Sequence, residues 1–380
     1  MSAIWLLLTI TFGILLLTRH SVEEKTRSLQ SADCRGPGLV VILDTDILAL
    51  CFILCFSFLC ATRSDLSYDT EVYRDWYFKI IDSPFFRYDG EYGFAFEYLV
   101  KILSLAFGSH YRLIFFALPL INNLILYRVL RNTRDVGTAG YLLYFFVTGF
   151  YYNYVVLRQG LAFTFILWAM ASWNNKKKLL VLLILAVLSH NTAILLVIFV
   201  FLVHLIRLGY HALLVVWALA FVNYFTQFTN VILGQLVELF EGIIPASMKA
   251  RYVFYFVDQE PQRIFSLYHI ILLLILLFLI LRARQEAAFE PVMPAYTQID
   301  ERRMLNLGVI GAVLLSVGVS FLVVARLADY FLLPCIIFLL PGALKKLYIP
   351  YYKPGVLAVC TMSLVLYLRM FLLEAPLYLF

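Results

Sequence analysis

The chain has 380 residues, of which 63% are hydrophobic and only 14% are charged, and its formal net charge is +6. Soluble globular domains contain about 25% charged residues. This composition excludes a soluble globular domain, an intrinsically disordered chain and a secreted disulfide scaffold. It predicts an all-α polytopic membrane protein, and the modest positive charge gives no reason to expect nucleic-acid binding.

Apolar segments recur along the chain at the length of a membrane-spanning helix, and about 12 transmembrane helices are predicted from them. They lie near residues 3–18, 40–61, 112–129, 137–154, 156–173, 177–189, 191–206, 209–225, 266–281, 304–324, 327–344 and 353–373. We expect the whole chain, residues 1–380, to form a single integral membrane domain.

The connections on one side of these spans share a high content of Lys and Arg, and they lie near residues 19–27, 128–134, 176–178, 282–303 and 345–353. Cytoplasmic loops carry the excess of basic residues, so this side is the predicted inner face. Two long loops, near residues 62–111 and 226–265, then lie outside. The apolar run Gly93–Phe107 is predicted to be a surface or re-entrant helix, because a crossing there would invert the later basic loops.

Titratable side chains stand at the predicted outer ends of several spans, namely Arg158, His190, Arg326 and Arg369. Arginine binds phosphate oxygens in a bidentate manner and stays charged. Arg158 and Arg326 therefore suit a pyrophosphate, with Arg369 as a weaker third candidate. The alternative is that these arginines only extend to lipid headgroups, and Arg326 could instead pair with Asp329 one turn away.

A histidine or carboxylate beside such arginines could accept a proton from a sugar hydroxyl. His190 is one candidate, and Glu91 and Asp69 are the first carboxylates to consider. The first outer loop has many acids: Asp65, Asp69, Glu71, Asp75, Asp82, Asp89, Glu91 and Glu97. The alternative for most of them is a solvated surface. They form no metal-ligand motif, so no metal is predicted, and no nucleotide-binding motif occurs.

Tyrosines cluster in the first outer loop and around one outer helix end. They are Tyr68, Tyr73, Tyr77, Tyr88 and Tyr92 in the loop, and Tyr141, Tyr144, Tyr151, Tyr152 and Tyr154 at the helix end. Such residues are compatible with a path for sugars. The alternative is an interfacial belt of aromatic residues, which is common in membrane proteins.

Five short motifs, in this order, resemble the EpsG-like, Wzy-type family of bacterial O-antigen and exopolysaccharide polymerases. They are Asp69 with Tyr73; Glu91-Tyr-Gly-Phe94, with Tyr92 where the family usually has proline; Arg158-Gln-Gly-Leu-Ala162; Ser189-His-Asn-Thr-Ala-Ile194; and Arg326-Leu-Ala-Asp-Tyr-Phe331. The resemblance covers roughly residues 65–340.

The resemblance implies an enzyme on the periplasmic face of the bacterial inner membrane. It would transfer a glycan from undecaprenyl pyrophosphate to a fresh lipid-linked repeat unit, without a metal or cofactor. Arg158, Arg326 and Arg369 would hold the pyrophosphate, and His190, Glu91 or Asp69 would act on the acceptor hydroxyl. The remaining predicted substrate contacts are Tyr330, Tyr73, Tyr92, Tyr154 and Gln159. A chain-length regulator and a flippase are the implied protein partners.

Two other classes of function fit parts of the sequence. A lipid-linked oligosaccharide flippase would also place arginines in a cavity, but its polar residues should extend through the middle of the membrane. Another membrane glycosyltransferase, such as an O-antigen ligase or an isoprenyl-phosphate-sugar-dependent enzyme, is the second alternative. A requirement for a metal ion would distinguish the isoprenyl-phosphate-sugar-dependent enzyme.

Overall fold

A computed structural model describes residues 8–13, 15–16, 38–63, 68–88, 92–205, 207–229, 231–232, 235, 267–289, 300–318 and 322–347. Every regular element in these ranges is helical, and they contain no strand. An apolar helix satisfies its backbone hydrogen bonds internally, which is what a chain in lipid requires. The predicted all-α fold is therefore confirmed.

Three of the described helices are long and apolar enough to cross a bilayer: Arg112–Arg131, Leu267–Ala287 and Arg326–Lys345. Shorter apolar helices lie at Thr45–Ala61, Leu157–Ala171, Asn191–Val203 and Tyr210–Thr226. These helices identify a membrane protein. The count of about 12 spans and the two faces of the membrane stay predictions, and the predicted span at 353–373 lies outside the described residues.

The described residues form two compact units, the first reaching Asn191 and including Leu344–Leu347, and the second covering Thr192–Ala343. The helices of unit 1 are α1 (Gly38–Ala61), α2 (Tyr68–Asp82), α3 (Phe94–Phe107), α4 (Arg112–Arg131), α5 (Gly137–Tyr144), α6 (Phe150–Tyr154), α7 (Leu157–Ala171) and α8 (Lys176–Ser189). Whether the chain acts as a single integral domain stays a prediction.

Within unit 1, α4 packs against both α1 and α7, and α7 packs against α8. The connection between α7 and α8 is short, so these helices are antiparallel neighbours. The Asn175 side chain accepts a hydrogen bond from the backbone N–H of Lys178 at 3.1 Å, which caps the start of α8. Asparagine is a favoured residue at this position because its side chain satisfies a free backbone donor.

The described residues of the predicted first outer loop form two helices where the sequence analysis predicted one. The predicted helix is α3, whose 14 residues extend about 21 Å and cannot cross a hydrocarbon core about 30 Å thick. The second helix, α2, was not predicted. Lys101 pairs with Glu97 at 3.0 Å and donates to the carbonyl of Pro84 at 3.2 Å, so α3 holds the segment that follows α2. Glu97 is buried and does not belong to a solvated acidic surface.

The predicted span 137–154 is one helical segment with a π-helical interruption at Phe145–Gly149 between α5 and α6. A π-helical segment changes the direction in which the following side chains point. Buried polar groups surround it: Asn122 donates to Asn153 at 3.1 Å, and Asn153 donates to the Tyr144 hydroxyl oxygen at 2.8 Å. These hydrogen bonds fix α6 against α4.

The helices of unit 2 are α9 (Ile194–Leu205), α10 (Tyr210–Thr226), α11 (Leu267–Phe289), α12 (Glu301–Val317) and α13 (Leu322–Leu347), which continues into unit 1 at Leu344. A 3-10 turn, Asn191–Ala193, precedes α9. Helix α12 packs against α9, α10 and α11. At Gly308, a Cβ atom would lie 2.7 Å from the Cys335 Sγ atom of α13. Small residues allow helices to approach this closely, as is common in membrane proteins.

Candidate active site

Helix α2 places Tyr73 against the first turn of α7. The backbone N–H of Arg158 donates to the Tyr73 hydroxyl oxygen at 3.3 Å. The first N–H groups of a helix have no acceptor within the helix. The Tyr73 hydroxyl therefore caps α7 from a distant part of the chain, and it joins two residues that the sequence analysis had proposed separately.

The Arg158 side chain lies over the indole ring of Trp76, with 4.9 Å between its Cζ atom and the ring centroid. Trp76 also contacts Tyr73 and Tyr92, each at 5.2 Å between ring centroids. The quadrupole of an aromatic ring attracts a guanidinium without neutralising its charge. Because Arg158 is half-buried, this positive charge lies at an accessible surface.

The sequence analysis missed a second arginine in this cluster, Arg63. Its side chain is 3% exposed, and its Cζ atom lies 3.5 Å from the centroid of Phe115 and 6.0 Å from that of Tyr73. Its Nη1 atom donates to the backbone carbonyl of Tyr154. Arg63 follows the predicted span 40–61 directly, so the signal that identified Arg158, a basic residue at an outer helix end, was also present here.

Two of the sequence motifs meet at Gly93. This residue has φ of +84°, and a Cβ atom would lie 2.6 Å from the carbonyl oxygen of Ser189. Glycine alone tolerates both the backbone conformation and the close approach. Ser189 ends α8, and His190 follows in an extended conformation. The loop that carries Tyr92 and the turn that carries His190 are therefore neighbours.

Tyr154 and Gln159 lie near the junction of α6 and α7, and both are buried. A Cβ atom at Gly160 would lie 2.2 Å from the carbonyl oxygen of Tyr152, so the first turn of α7 packs directly on the backbone of α6. This contact fixes the position of Arg158 in the first turn of α7. Tyr154 and Gln159 support the site from within, and their predicted contact with substrate stays a prediction.

We name Arg63, Tyr73, Trp76, Tyr92, Phe115, Tyr154 and Arg158 the arginine–aromatic cluster. Tyr73, Tyr92, Tyr154 and Arg158 were all predicted as site residues. Trp76, Phe115 and Arg63 are additions that the sequence analysis did not make.

The other predicted site residues lie in unit 2, in the turn after α8 or outside the described part. Arg326 and Tyr330 occupy one turn of α13 in unit 2, where Arg326 is half-buried and Tyr330 is buried. Asp69 lies in the first turn of α2, but its side chain is outside the described residues. Glu91 and Arg369 are also outside them. Their predicted roles are untested, and so is that of His190.

Within the described ranges, no group of three or more His, Cys, Asp or Glu side chains is placed to hold a metal ion. The residues that define the arginine–aromatic cluster are basic or aromatic, so they can contact an anion and the apolar faces of a ligand.

The apolar helices define an integral membrane protein, and unit 1 gives it an accessible arginine surrounded by aromatic residues. The EpsG family model matches residues 46–379, and the chain belongs to this family of Wzy-type polysaccharide polymerase-like proteins. No curated protein and no solved structure matches the chain. The resemblance found in the five short motifs is therefore confirmed, and the family indicates a polysaccharide polymerase type of function.

Proposed function

We propose that this protein polymerises undecaprenyl-pyrophosphate-linked oligosaccharide repeat units into O-antigen or exopolysaccharide at the periplasmic face of the bacterial inner membrane. The observation that carries the proposal is the convergence of Tyr73, Tyr92 and Arg158, from three separate parts of the chain, in one cluster. The match to the EpsG family supports a reaction of this type.

Arg158 suits the leaving group of this reaction. When the bond between the anomeric carbon and the pyrophosphate oxygen breaks, negative charge builds up on the pyrophosphate. A guanidinium held on an indole face is a preorganised positive charge, and such charges stabilise developing anions most effectively. The N-terminus of α7, where Arg158 lies, adds the partial positive charge of the helix dipole.

The acceptor hydroxyl forms the new bond to the anomeric carbon and gives up its proton. His190 is our first candidate to receive that proton, because its turn lies beside the Tyr92–Gly93 loop. Glu91 and Asp69 are the alternatives. The sugar–pyrophosphate bond already contains the free energy for transfer, so the reaction needs no ATP, and by analogy with related membrane glycosyltransferases we propose that it needs no metal ion.

The aromatic rings suit the sugar part of the substrate. Sugar rings present apolar C–H faces, and Tyr and Trp bury such faces while keeping one polar atom for hydrogen bonding. Trp76 lies next to the Arg158 guanidinium and is partly exposed, so a sugar bound against it would place its pyrophosphate near the positive charge, while the buried Tyr92 packs against Trp76. In unit 2, we propose that Arg326 also binds pyrophosphate and that Tyr330 contacts phosphate or sugar.

The direct test uses the purified full chain in proteoliposomes, a synthetic undecaprenyl-pyrophosphate repeat unit and EDTA, with the products separated on a ladder gel. We expect a ladder of increasing repeats. Movement of the lipid-linked unit across the bilayer without a ladder would favour a flippase. A ladder that needs a divalent ion, or transfer only to another acceptor, would favour another glycosyltransferase.

Variants then test the assigned arginines. Arg158→Ala and Arg326→Ala should each abolish long chains while the protein still inserts in the membrane. Arg74→Ala is the matched control, because Arg74 lies on α2 close to Tyr73 in sequence but pairs at the surface with Glu71 at 3.3 Å. Normal chain lengths in both variants would remove the pyrophosphate assignment but leave the polymerase reaction in place.

A further inference from the structure

Unit 1 contains a pocket at the other end of α4 from the arginine–aromatic cluster. Its volume is about 470 Å³, and α1 and α4 line it. Pockets that hold small ligands have volumes of about 300–1,000 Å³. The polar part of this pocket comes from Asp46 on α1 and from Tyr127, Arg128, Arg131 and Asn132 at the end of α4.

The position of the pocket relative to a bilayer follows from its helices. Arg112–Arg131 is a candidate membrane span, and Thr45–Ala61 is a shorter apolar helix. Arg128 and Arg131 lie in the last turn of the first, and Arg131 binds Asp46 of α1 at the same level. The polar part of the pocket is therefore at the level where lipid headgroups meet the hydrocarbon core.

The polar groups are arranged around one carboxylate. The Tyr127 hydroxyl donates to the Asp46 Oδ1 atom at 2.8 Å, and the Arg131 Nη1 atom donates to the same oxygen. Arg131 is thus already oriented and largely neutralised. Arg128 is exposed, and it forms no ion pair with any residue in the described ranges. Two arginines and one aspartate give this end of the pocket a surplus of positive charge.

Each helix also adds an apolar side chain one turn deeper into the membrane. Leu50 follows Asp46 by four residues on α1, and Leu124 precedes Arg128 by four residues on α4. Both leucines line the pocket, and they are 45% and 39% exposed. One helical turn advances about 5.4 Å. The pocket therefore has a cationic end and, about one turn deeper, an apolar wall, which matches an amphiphile with an anionic headgroup.

We propose that this pocket binds an anionic phospholipid, with the phosphodiester at Arg128 and Arg131 and the first part of an acyl chain against Leu50 and Leu124. Arginine is suited to the phosphodiester because its N–H groups can donate to two oxygens at once. Tyr127 and Asp46 hold Arg131 in place for this contact. This site is independent of glycosyl transfer, which we assign to the arginine–aromatic cluster.

The experiment follows thermal unfolding of the full chain in neutral detergent while phosphatidylglycerol or phosphatidylcholine is added. We expect phosphatidylglycerol to raise the midpoint in a saturable manner and phosphatidylcholine to leave it unchanged. Arg128→Gln should raise the apparent Kd for phosphatidylglycerol about tenfold, as expected when one hydrogen bond to a charged group is lost. Leu124→Gln should weaken binding of the lipid by disrupting the apolar wall, and it tests the site if Arg128→Gln cannot be purified.

Arg134→Gln is the matched control, because it removes the same charge from the neighbouring loop. Its side chain is 68% exposed, pairs with Asp135 at 3.8 Å and does not line the pocket. Equal weakening in Arg134→Gln and Arg128→Gln would show a general surface-charge effect and overturn the proposal. So would equal stabilisation by glycerophosphate or inorganic phosphate, which would indicate a site for a free anion. Absence of any response to phosphatidylglycerol would overturn it as well.

Discussion

The two regions at the ends of α4 hold their arginines by different contacts. In the arginine–aromatic cluster, Arg63 lies over Phe115 of α4 and Arg158 lies over Trp76. At the far end of the same helix, Arg131 is bound by the Asp46 carboxylate. Arg131 also lies near the Tyr127 ring, at 5.8 Å from its centroid, so the regions differ in the carboxylate, which cancels most of the charge of the guanidinium that it binds. The first arrangement suits binding of a multiply charged pyrophosphate, and the second suits a singly charged headgroup.

The largest effect should follow from breaking the loop that brings Tyr92 to the cluster. Gly93→Ala would force an L-residue into φ of +84° and place its Cβ atom against the Ser189 carbonyl. We expect a loss of about 2–3 kcal/mol in stability, because backbone strain and steric overlap add. The measurement is the thermal midpoint in detergent together with ladder formation.

Gly108→Ala is the control for this prediction. Gly108 also has positive φ, at +56°, but a Cβ atom there would have no neighbour within 4 Å. It should therefore show only the smaller cost of the backbone conformation. If the two variants lose equal stability and activity, the contact between Gly93 and Ser189 has no special importance.

The next largest effect should follow from removing the planar guanidinium of Arg158. Arg158→Lys keeps the charge but loses the flat group that stacks on Trp76 and binds two phosphate oxygens. We expect the rate of chain extension to fall about tenfold, which corresponds to about 1.4 kcal/mol. The rate is measured from the ladder under single-turnover conditions. A rate equal to that of the wild type would mean that charge alone matters at this position.

Removing the aromatic support should have a smaller effect. Trp76→Leu retains an apolar side chain but removes the ring under Arg158, and a partly exposed cation–π contact contributes about 0.5–1 kcal/mol. We therefore expect activity to decrease about two- to fivefold, because this is the factor by which a barrier raised by about 0.5–1 kcal/mol slows a rate. Combining Trp76→Leu with Arg158→Lys in a double-mutant cycle measures the coupling. Additive effects would contradict the proposed contact.

The smallest effect should come from the far end of α4. Arg131→Gln breaks the ion pair with Asp46, but both side chains are partly exposed, so the loss of stability should be about 0.5–1 kcal/mol. Ladder formation in assays without anionic phospholipid should not change. A loss of activity as large as that in Arg158→Lys would contradict the separation of the two regions.

Several parts of this structure could be predicted because they depend on local sequence. The helices at Arg112–Arg131, Lys176–Ser189 and Tyr210–Thr226 agree with predicted spans within a few residues. Long apolar segments form helices in a membrane whatever their neighbours are. The helix at Phe94–Phe107 was also predicted, although α2 was not, because its many charged residues resemble an exposed loop.

The candidate site was predictable only in part. Arg158, Tyr73 and Tyr92 could be singled out from residue type and predicted membrane position. Arg63 was overlooked although it directly follows a predicted span, and Trp76 because an aromatic residue in a predicted outer loop has many explanations. Glu97 was left open between a solvated and a functional acid; its i,i+4 spacing from Lys101 is visible in the sequence, but its complete burial is not.

The sequence by itself determined that this is a helical membrane protein of the EpsG family, where most of the described helices lie, and which residue types can bind a pyrophosphate. Those properties follow from hydrophobicity and charge, which act over one helix at a time. The tertiary structure decided that Tyr73 caps α7, that Gly93 packs on Ser189 and that Asp46 holds Arg131. These contacts join residues that are far apart in the chain, and only the packing of complete helices brings such residues within hydrogen-bonding distance.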